Sequence, residues 1–281
     1  MRPASWVEGG TRMKARKFAL VAVVCALAAV LSGCNRLKAR DHLNKGVSAF
    51  RNTQYQQAIV HFKTAVDLDP QLLNARLYLA TAYRQQYIPG GDSPDNVEVG
   101  KQAIAGFEDV LKMDPNNETA IASIAQTYYD MRDFDRAKEY QRRRLQVEPN
   151  NPEPYYWIGV IDWATAYPRA QKVRNDLNIA MPTDPTKPDI LPPIPDKQRA
   201  QLEQENTQVV EEGLEAVQKA IDLKPNDDNA MTYMNLLLRQ KSEYAKDAQS
   251  RADLINQAND WIEKAVNIKK QAAAQASAGA R

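Results

Sequence analysis

The sequence predicts an all-α protein built from about five helix–turn–helix units. Three observations carry that expectation. Small residues recur in phase: Gly46 and Ala80 are 34 residues apart, and so are Ala125 and Gly159. Ala58, Ala103, Ala137 and Gly213 each stand twelve residues before a proline, at Pro70, Pro115, Pro149 and Pro225. A proline disfavours helical geometry at the residue before it, so each marks the end of a unit. Glycine is scarce, with 11 in 281 residues, while Ala, Leu, Gln, Glu, Lys and Arg, all good helix formers, are common.

Before the repeats lies an address. Lys14, Arg16 and Lys17 precede Phe18–Val30, an unbroken apolar run of thirteen residues that ends in Leu31-Ser32-Gly33-Cys34. Spanning a bilayer takes roughly 20 such residues, so the run reads as a secretory signal. Leu-Ser-Gly-Cys resembles the lipobox of bacterial lipoproteins. The resemblance implies diacylglyceryl transfer to the Cys34 thiol, cleavage before Cys34, and a short tether over 34–38. Asn35 follows the cysteine, and enterobacteria-like sorting would then favour the outer membrane. The expected localisation is therefore the cell envelope, lipid-anchored and facing the periplasm. Met13 would make a compact start for such a leader, so residues 1–12 read as an over-extended start. Cys25 falls inside the leader, which leaves the mature body without a free thiol or disulfide.

Charge agrees with a neutral body. Residues 1–33 hold five of the 37 Lys/Arg and one of the 35 Asp/Glu, leaving 32 against 34, or −2. That balance makes no electrostatic case for nucleic acid.

The first unit, 39–72, reads as helices Arg40–Asn52 and Gln54–Asp67. Gly46 and Ala58 are small enough to let the two helices approach closely, and Phe62 and Ala65 lie at helical spacing on the inner face of the second. The second, 73–117, carries Leu79, Ala80 and Tyr83, then Ala103 and Phe107. Its Gln85–Gly100 stretch, with Pro89-Gly90-Gly91 and Ser93-Pro94, has the turn chemistry of an inserted loop. The third, 118–151, holds Ile124, Ala125, Tyr128, Phe134 and Ala137. There Gln141 and Arg144 replace the Phe62 and Ala65 of the first unit, which predicts looser packing or more exposure on that face.

The fourth unit, 152–227, opens on Pro152, suited to a helix start, and holds Ile158 and Gly159. It is interrupted by a proline-rich insertion at 164–208, with six prolines between Pro182 and Pro195. Such density blocks helix and favours extended polyproline geometry. Two readings stand for it: a PxxP ligand for another domain, or a segment that packs back on the repeats through Ile190, Leu191 and Ile194. Asp196 is expected to cap a helix over Lys197–Leu223 that carries Gly213, Val217 and Ala220. The fifth unit, 228–270, has Tyr233, Met234, Asn235 and Leu238, then Ala258, Ile262 and Ala265, with Lys270 where a proline would stand. Atypical terminal units serve as caps. Residues 271–281 are small and polar and are expected to fray.

A 34-residue hairpin period with Gly/Ala, Tyr/Phe, Ala, Phe and Pro at these spacings resembles the tetratricopeptide repeat, over roughly residues 39–270. Gly159-Val160-Ile161-Asp162-Trp163, Tyr167 and Asp260-Trp261 also resemble an acidobacterial-type group of tetratricopeptide proteins that carries no known activity. The family resemblance implies a right-handed superhelix, or solenoid, whose first helices line a concave groove. By matching positions, the groove would be lined by Leu43, Val47 and Phe50; Leu77, Thr81 and Arg84; Ala122, Gln126 and Tyr129; Tyr156, Val160 and Trp163; and Thr232, Leu236 and Arg239. Arg84, Gln126, Tyr129, Tyr156, Trp163 and Arg239 are the candidate partner-binding residues. Tyr129, Tyr156 and Trp163 would cluster mid-array, as anchors for a partner or buried beneath the insertion. The family's charged clamp for terminal carboxylates needs Lys and Asn where this chain has Leu43, Leu77 and Ala122, so that activity is not implied. Arg142-Arg143-Arg144 reads as a solvated face, with anionic lipid headgroups as the other option.

Catalytic chemistry is not legible. The histidines are His42 and His61, neither with a Cys or second His at ligand spacing, so no metal or other cofactor is expected. No phosphate-cradling glycine loop, nucleophile elbow or HExxH occurs. The sequence therefore points to a non-enzyme: a lipid-anchored scaffold that binds a peptide or partner protein, in envelope assembly, secretion or pilus-type machinery. The alternative is a regulatory subunit of an envelope enzyme such as a peptidoglycan hydrolase. Neither nucleic acid nor a small-molecule substrate is expected.

Overall fold

The computed structural model describes residues 34–179 and 192–279, with side chains to 276. The leader and the insertion's Pro182–Leu191 portion lie outside these residues. Among the described residues there are helices and turns but no strands. The helices are α1 (34–51), α2 (Tyr55–Leu68), α3 (Leu73–Gln86), α4 (Pro94–Met113), α5 (Glu118–Asp130), α6 (Phe134–Val147), α7 (Pro152–Asp176), α8 (Asp196–Leu223), α9 (Asp228–Glu243) and α10 (Ala248–Gly279). They fall into two compact units, one up to Pro115 and one from Asn116.

Prolines end the helices as their chemistry requires. Pro70, Pro115, Pro149 and Pro225 each stand two residues past the end of α2, α4, α6 and α8. Starts are capped by side chains: Ser93, Asn117, Asp133, Asn151 and Asp227 each accept a hydrogen bond from a free backbone N–H of the first turn.

In the first unit, Phe62 of α2 lies fully buried against the bare backbone of α1 at Gly46, where any Cβ would overlap its ring. Gly106 of α4 meets Ala80 of α3 in the same way, a Cβ there falling 2.9 Å from that of Ala80. The second unit repeats the device. A Cβ on Gly159 of α7 would overlap Val217 of α8, and one on Gly213 of α8 would stand 2.9 Å from the Cβ of Asp162. Val217, Ala220, Met234, Leu237 and Ala258 form the core around these contacts.

Four expectations need correction. The loop in the 73–117 repeat is shorter than Gln85–Gly100, because Ser93 caps α4 and Pro94 opens it. The insertion is helical at both ends: 164–176 continue α7 through Pro168, and 196–208 belong to α8. Pro168 lies on the exposed side, where water can take up the carbonyl it leaves unpaired, while Ala166 and Ala170 face Ile194, Leu202 and Val210 in a buried cluster. Burial outweighs proline here. Asp196 does not cap α8; it is the helix's first residue and pairs with Arg199 at 3.2 Å. Finally, α10 runs on through the expected tail to Gly279, because Lys270 leaves no proline to stop it.

The 118–151 repeat carries a larger correction. Gln141 and Arg144 are not exposed; they are 2% and 3% accessible. The last turn of α6 faces the first turns of α5 and α7, and Arg144 reaches Glu118 at 2.7 Å and Glu153 at 2.8 Å. Its Nη1 donates to Gln141 Oε1 at 3.0 Å. The triple-arginine stretch is thus not one solvated face: Arg144 is buried and paired, while exposed Arg142 pairs with Glu212.

Beside it, the fully buried Asp162 of α7 accepts a short hydrogen bond from Lys138 of α6, which also reaches Glu212 of α8 at 3.1 Å. Asp162 Oδ2 has no hydrogen-bond partner among the described residues. Burial pushes its carboxyl up to about 6, against the pull of Lys138. Burial also acts to raise Glu212, but the hydrogen bonds from Arg142 and Lys138 outweigh it and hold that carboxyl below its ordinary value.

Two outcomes follow from these contacts. Gly159→Ala should destabilise by roughly 1–3 kcal/mol through overpacking, with Val217→Ala in the same chain recovering part of the loss. Thermal melts of the two single variants and the double variant check this, and strict additivity would contradict the contact. A raised carboxyl binds more protons folded than unfolded, so Asp162 lowers stability as pH rises from about 4 through about 6. The melting advantage of Asp162→Asn over the natural chain should therefore grow across that window, by on the order of 2–3 kcal/mol. Parallel melting curves for the two proteins between pH 4 and pH 7 would refute the assignment.

Candidate partner-binding face

In the second unit, α5, α7 and α9 are the first helices of successive hairpins, and their aromatic side chains meet. Tyr129 of α5 packs edge-on to Trp157 of α7, with ring centroids 5.3 Å apart, and Phe134 lies 5.7 Å away on its other side. Trp157 meets Tyr156 at 5.6 Å, and Tyr156 meets Tyr233 of α9 at 5.5 Å. Tyr233 lies 5.9 Å from Trp163, which stacks on Tyr167 at 4.9 Å. The result is an unbroken chain of rings across three helices, every member half-buried. Edge-to-face and offset contacts at these separations are the arrangement ring quadrupoles favour.

Burial raises the phenols of Tyr129 and Tyr233 above the ordinary value and pushes Tyr156 to about 12, with nearby Tyr233 and Asp227 adding to the last. All three stay neutral at physiological pH. They offer apolar faces with hydroxyl tips, as a partner surface does, and no activated nucleophile. Trp163 Nε1 is buried without a hydrogen-bond partner among the described residues.

Of the residues the sequence proposed, Tyr129, Tyr156 and Trp163 are brought into this one chain of rings. Gln126 sits one turn before Tyr129 and donates to Asp130 at 3.0 Å. Arg239 turns instead to α10 and donates to Asn259 at 2.7 Å. Arg84 is half-buried on α3 of the other unit. Two groove positions are core: Val160 is 2% and Leu236 8% accessible. Leu43, Val47 and Phe50 likewise pack against the buried Ala49, Ala58, Ile59 and Phe62 of their own unit. The cause is a helical stripe wider than the position-by-position transfer allowed.

Trp157, Tyr167 and Tyr233 were not proposed as groove residues. A signal existed, because Trp163 and Tyr167 are one helical turn apart and Tyr156 and Trp163 two turns. Within the insertion, Tyr167 stacks on Trp163, while Ile194 packs with Ala166, Ala170, Leu202, Val210 and Tyr244.

His42 and His61 are far apart in sequence, yet α1 and α2 bring their Nδ1 atoms to 3.3 Å. Among the described residues, no group of three or more His, Cys, Asp or Glu is placed to hold a metal ion. Cys34 is exposed at the start of the described part of α1. No described helix is long and apolar enough to cross a membrane.

Known proteins place this geometry. A tetratricopeptide repeat model matches residues 119–151, which cover α5 and α6. A crystal structure of MamA protein is similar with a TM-score of 0.54 at 14% identity, covering 84% of this chain and 94% of that one. MamA residues 41–end from Desulfovibrio magneticus RS-1 give a TM-score of 0.51 at 15% identity, covering 81% and 96%. The human mitochondrial import receptor subunit TOM70 is 28% identical over 109 residues, 38% of this chain but 17% of that protein's length. Residues 119–151 match a tetratricopeptide repeat, and they stand in an all-α helical-hairpin fold like that of MamA.

Proposed function

We propose that this chain is a lipid-anchored interaction scaffold of the bacterial cell envelope, which holds a peptide or partner protein on the aromatic face of its second unit. The observation that carries the reading is the unbroken chain of half-buried rings from Tyr129 to Tyr167 across α5, α7 and α9. Rigid aromatics lose little entropy on binding and dominate interface energetics. Helical repeats build such extended surfaces by stacking identical units. The TOM70 match, to an import receptor subunit, is in keeping with a partner that is itself a protein. The basic stretch, apolar run and Leu-Ser-Gly-Cys support the anchor at Cys34 and a periplasm-facing site, most simply on the outer membrane, where the scaffold would serve an assembly, secretion or pilus-type machine.

A photo-crosslinking residue placed at Gln126, beside the rings, should capture one predominant partner in living cells. Tyr156→Ala is expected to reduce that capture about ten-fold, the effect of losing an aromatic anchor, with the far-ultraviolet circular dichroism spectrum retained. Capture that survives both Tyr156→Ala and Trp163→Ala would remove the aromatic face from the binding site. Mass spectrometry of the membrane-extracted protein should show an N-terminal Cys34 carrying the acyl chains. A chain that begins elsewhere, or an unmodified Cys34, would exclude the lipid anchor.

A further inference from the structure

Away from the aromatic rings, the second unit holds a cavity of about 990 Å³ between the 192–199 stretch, the α9–α10 turn and the α10 residues from Ala248 to Asn259. That volume is at the top of the range of ligand sites. Much of its wall is apolar, from Pro192, Ile194, Ala252 and Ile255. Its charges do not balance. Asp196 is engaged by Arg199 at 3.2 Å. Asp247 is engaged by Ser250, accepting from its N–H at 2.7 Å and its hydroxyl at 2.8 Å.

Two cations are left over: exposed Lys246, whose ion pair with Glu203 is as long as 3.9 Å, and Arg251. The carboxylate nearest in charge is Glu243, but Glu243 is already held by two nitrogens of Arg174, a residue only 1% accessible, and Arg174 also donates to the Pro192 carbonyl at 3.2 Å. Two guanidinium groups thus share one carboxylate. Nε of Arg251 is buried without a hydrogen-bond partner among the described residues. Burial holds Arg251 below its ordinary range, with Glu243 opposing that and Arg174 adding to it. Arg251 is half-buried, and with Glu243 already held by Arg174 an entering anion would supply its guanidinium with a partner.

We propose that this cavity binds an apolar molecule bearing a single carboxylate, with the carboxylate on Arg251 and the apolar body against Ile194, Ala252 and Ile255. A guanidinium receives a carboxylate through two parallel N–H donors, a geometry that a primary amide cannot match and that brings opposite charges together. The proposal is independent of the aromatic face, so the failure of either leaves the other standing.

Isothermal titration of the purified full chain with 4-phenylbutyrate, and with 4-phenylbutyramide as the uncharged counterpart, tests it. The carboxylate is expected to bind saturably at one site and the amide about ten-fold more weakly. Arg251→Met should weaken the carboxylate about ten-fold and leave the amide unchanged. Ala252→Trp, which narrows the cavity and keeps the charge, should weaken binding of both, and it decides the matter if Arg251→Met does not fold. Equal binding of acid and amide, unchanged affinity in Arg251→Met, unchanged affinity of both in Ala252→Trp, or no saturable binding of the acid would each overturn the proposal.

Discussion

Close approach of helix backbones at a few positions without side chains is the constraint on which the rest depends. Gly46 admits the ring of Phe62, Gly106 admits Ala80, Gly159 admits Val217, and Gly213 admits Asp162 and Leu237. Each contact replaces a methyl group with a neighbour's packed atoms, and the interdigitation of α7 with α8 and of α1 with α2 follows. A glycine inside a helix costs roughly 1 kcal/mol relative to alanine. The cost is offset because large apolar side chains such as Phe62 and Val217 are then wholly removed from water.

A second theme in the Asn116–Arg281 unit is the use of charge inside the packing. The third repeat lacks the Phe and Ala that fill the first at equivalent places. Gln141 and Arg144 occupy the space instead, and Glu118 and Glu153 from the neighbouring helix starts neutralise the guanidinium. Both acids lie in first turns, where the helix dipole already favours negative charge, so the pairing adds to an existing preference. Lys138, Asp162, Arg142 and Glu212 join α6, α7 and α8 in the same manner. Such contacts specify which helix meets which more sharply than apolar burial alone, because a mismatched neighbour would leave a buried charge without a partner.

The aromatic face was legible in part. Tyr129, Tyr156 and Trp163 could be named because a repeat converts positions in one unit into positions in the next. Trp157 and Tyr233 escaped because the transfer treats each helix as contributing a fixed narrow stripe. α7 is buried on several sides at once, with Ile158, Val160, Ile161 and Asp162 all inaccessible, so no single stripe describes it. The same breadth placed Val160 and Leu236 in the core. The cavity beside Arg251 left no mark in the sequence, since its walls come from segments about fifty residues apart that only the packing of α9 against both α8 and α10 brings together.

By itself, the chain's order of residues determined the helical class, the hairpin period and the ends of α2, α4, α6 and α8. These depend on local steric rules: proline cannot continue a helix, and small residues in phase permit close pairs. Tertiary structure decided what local rules cannot weigh. It carried α7 through Pro168 because Ala166 and Ala170 are buried, hid Arg144 because two acids meet it, and brought His42 to His61. In each case energy gained between helices distant in sequence exceeded the preference of the residue alone.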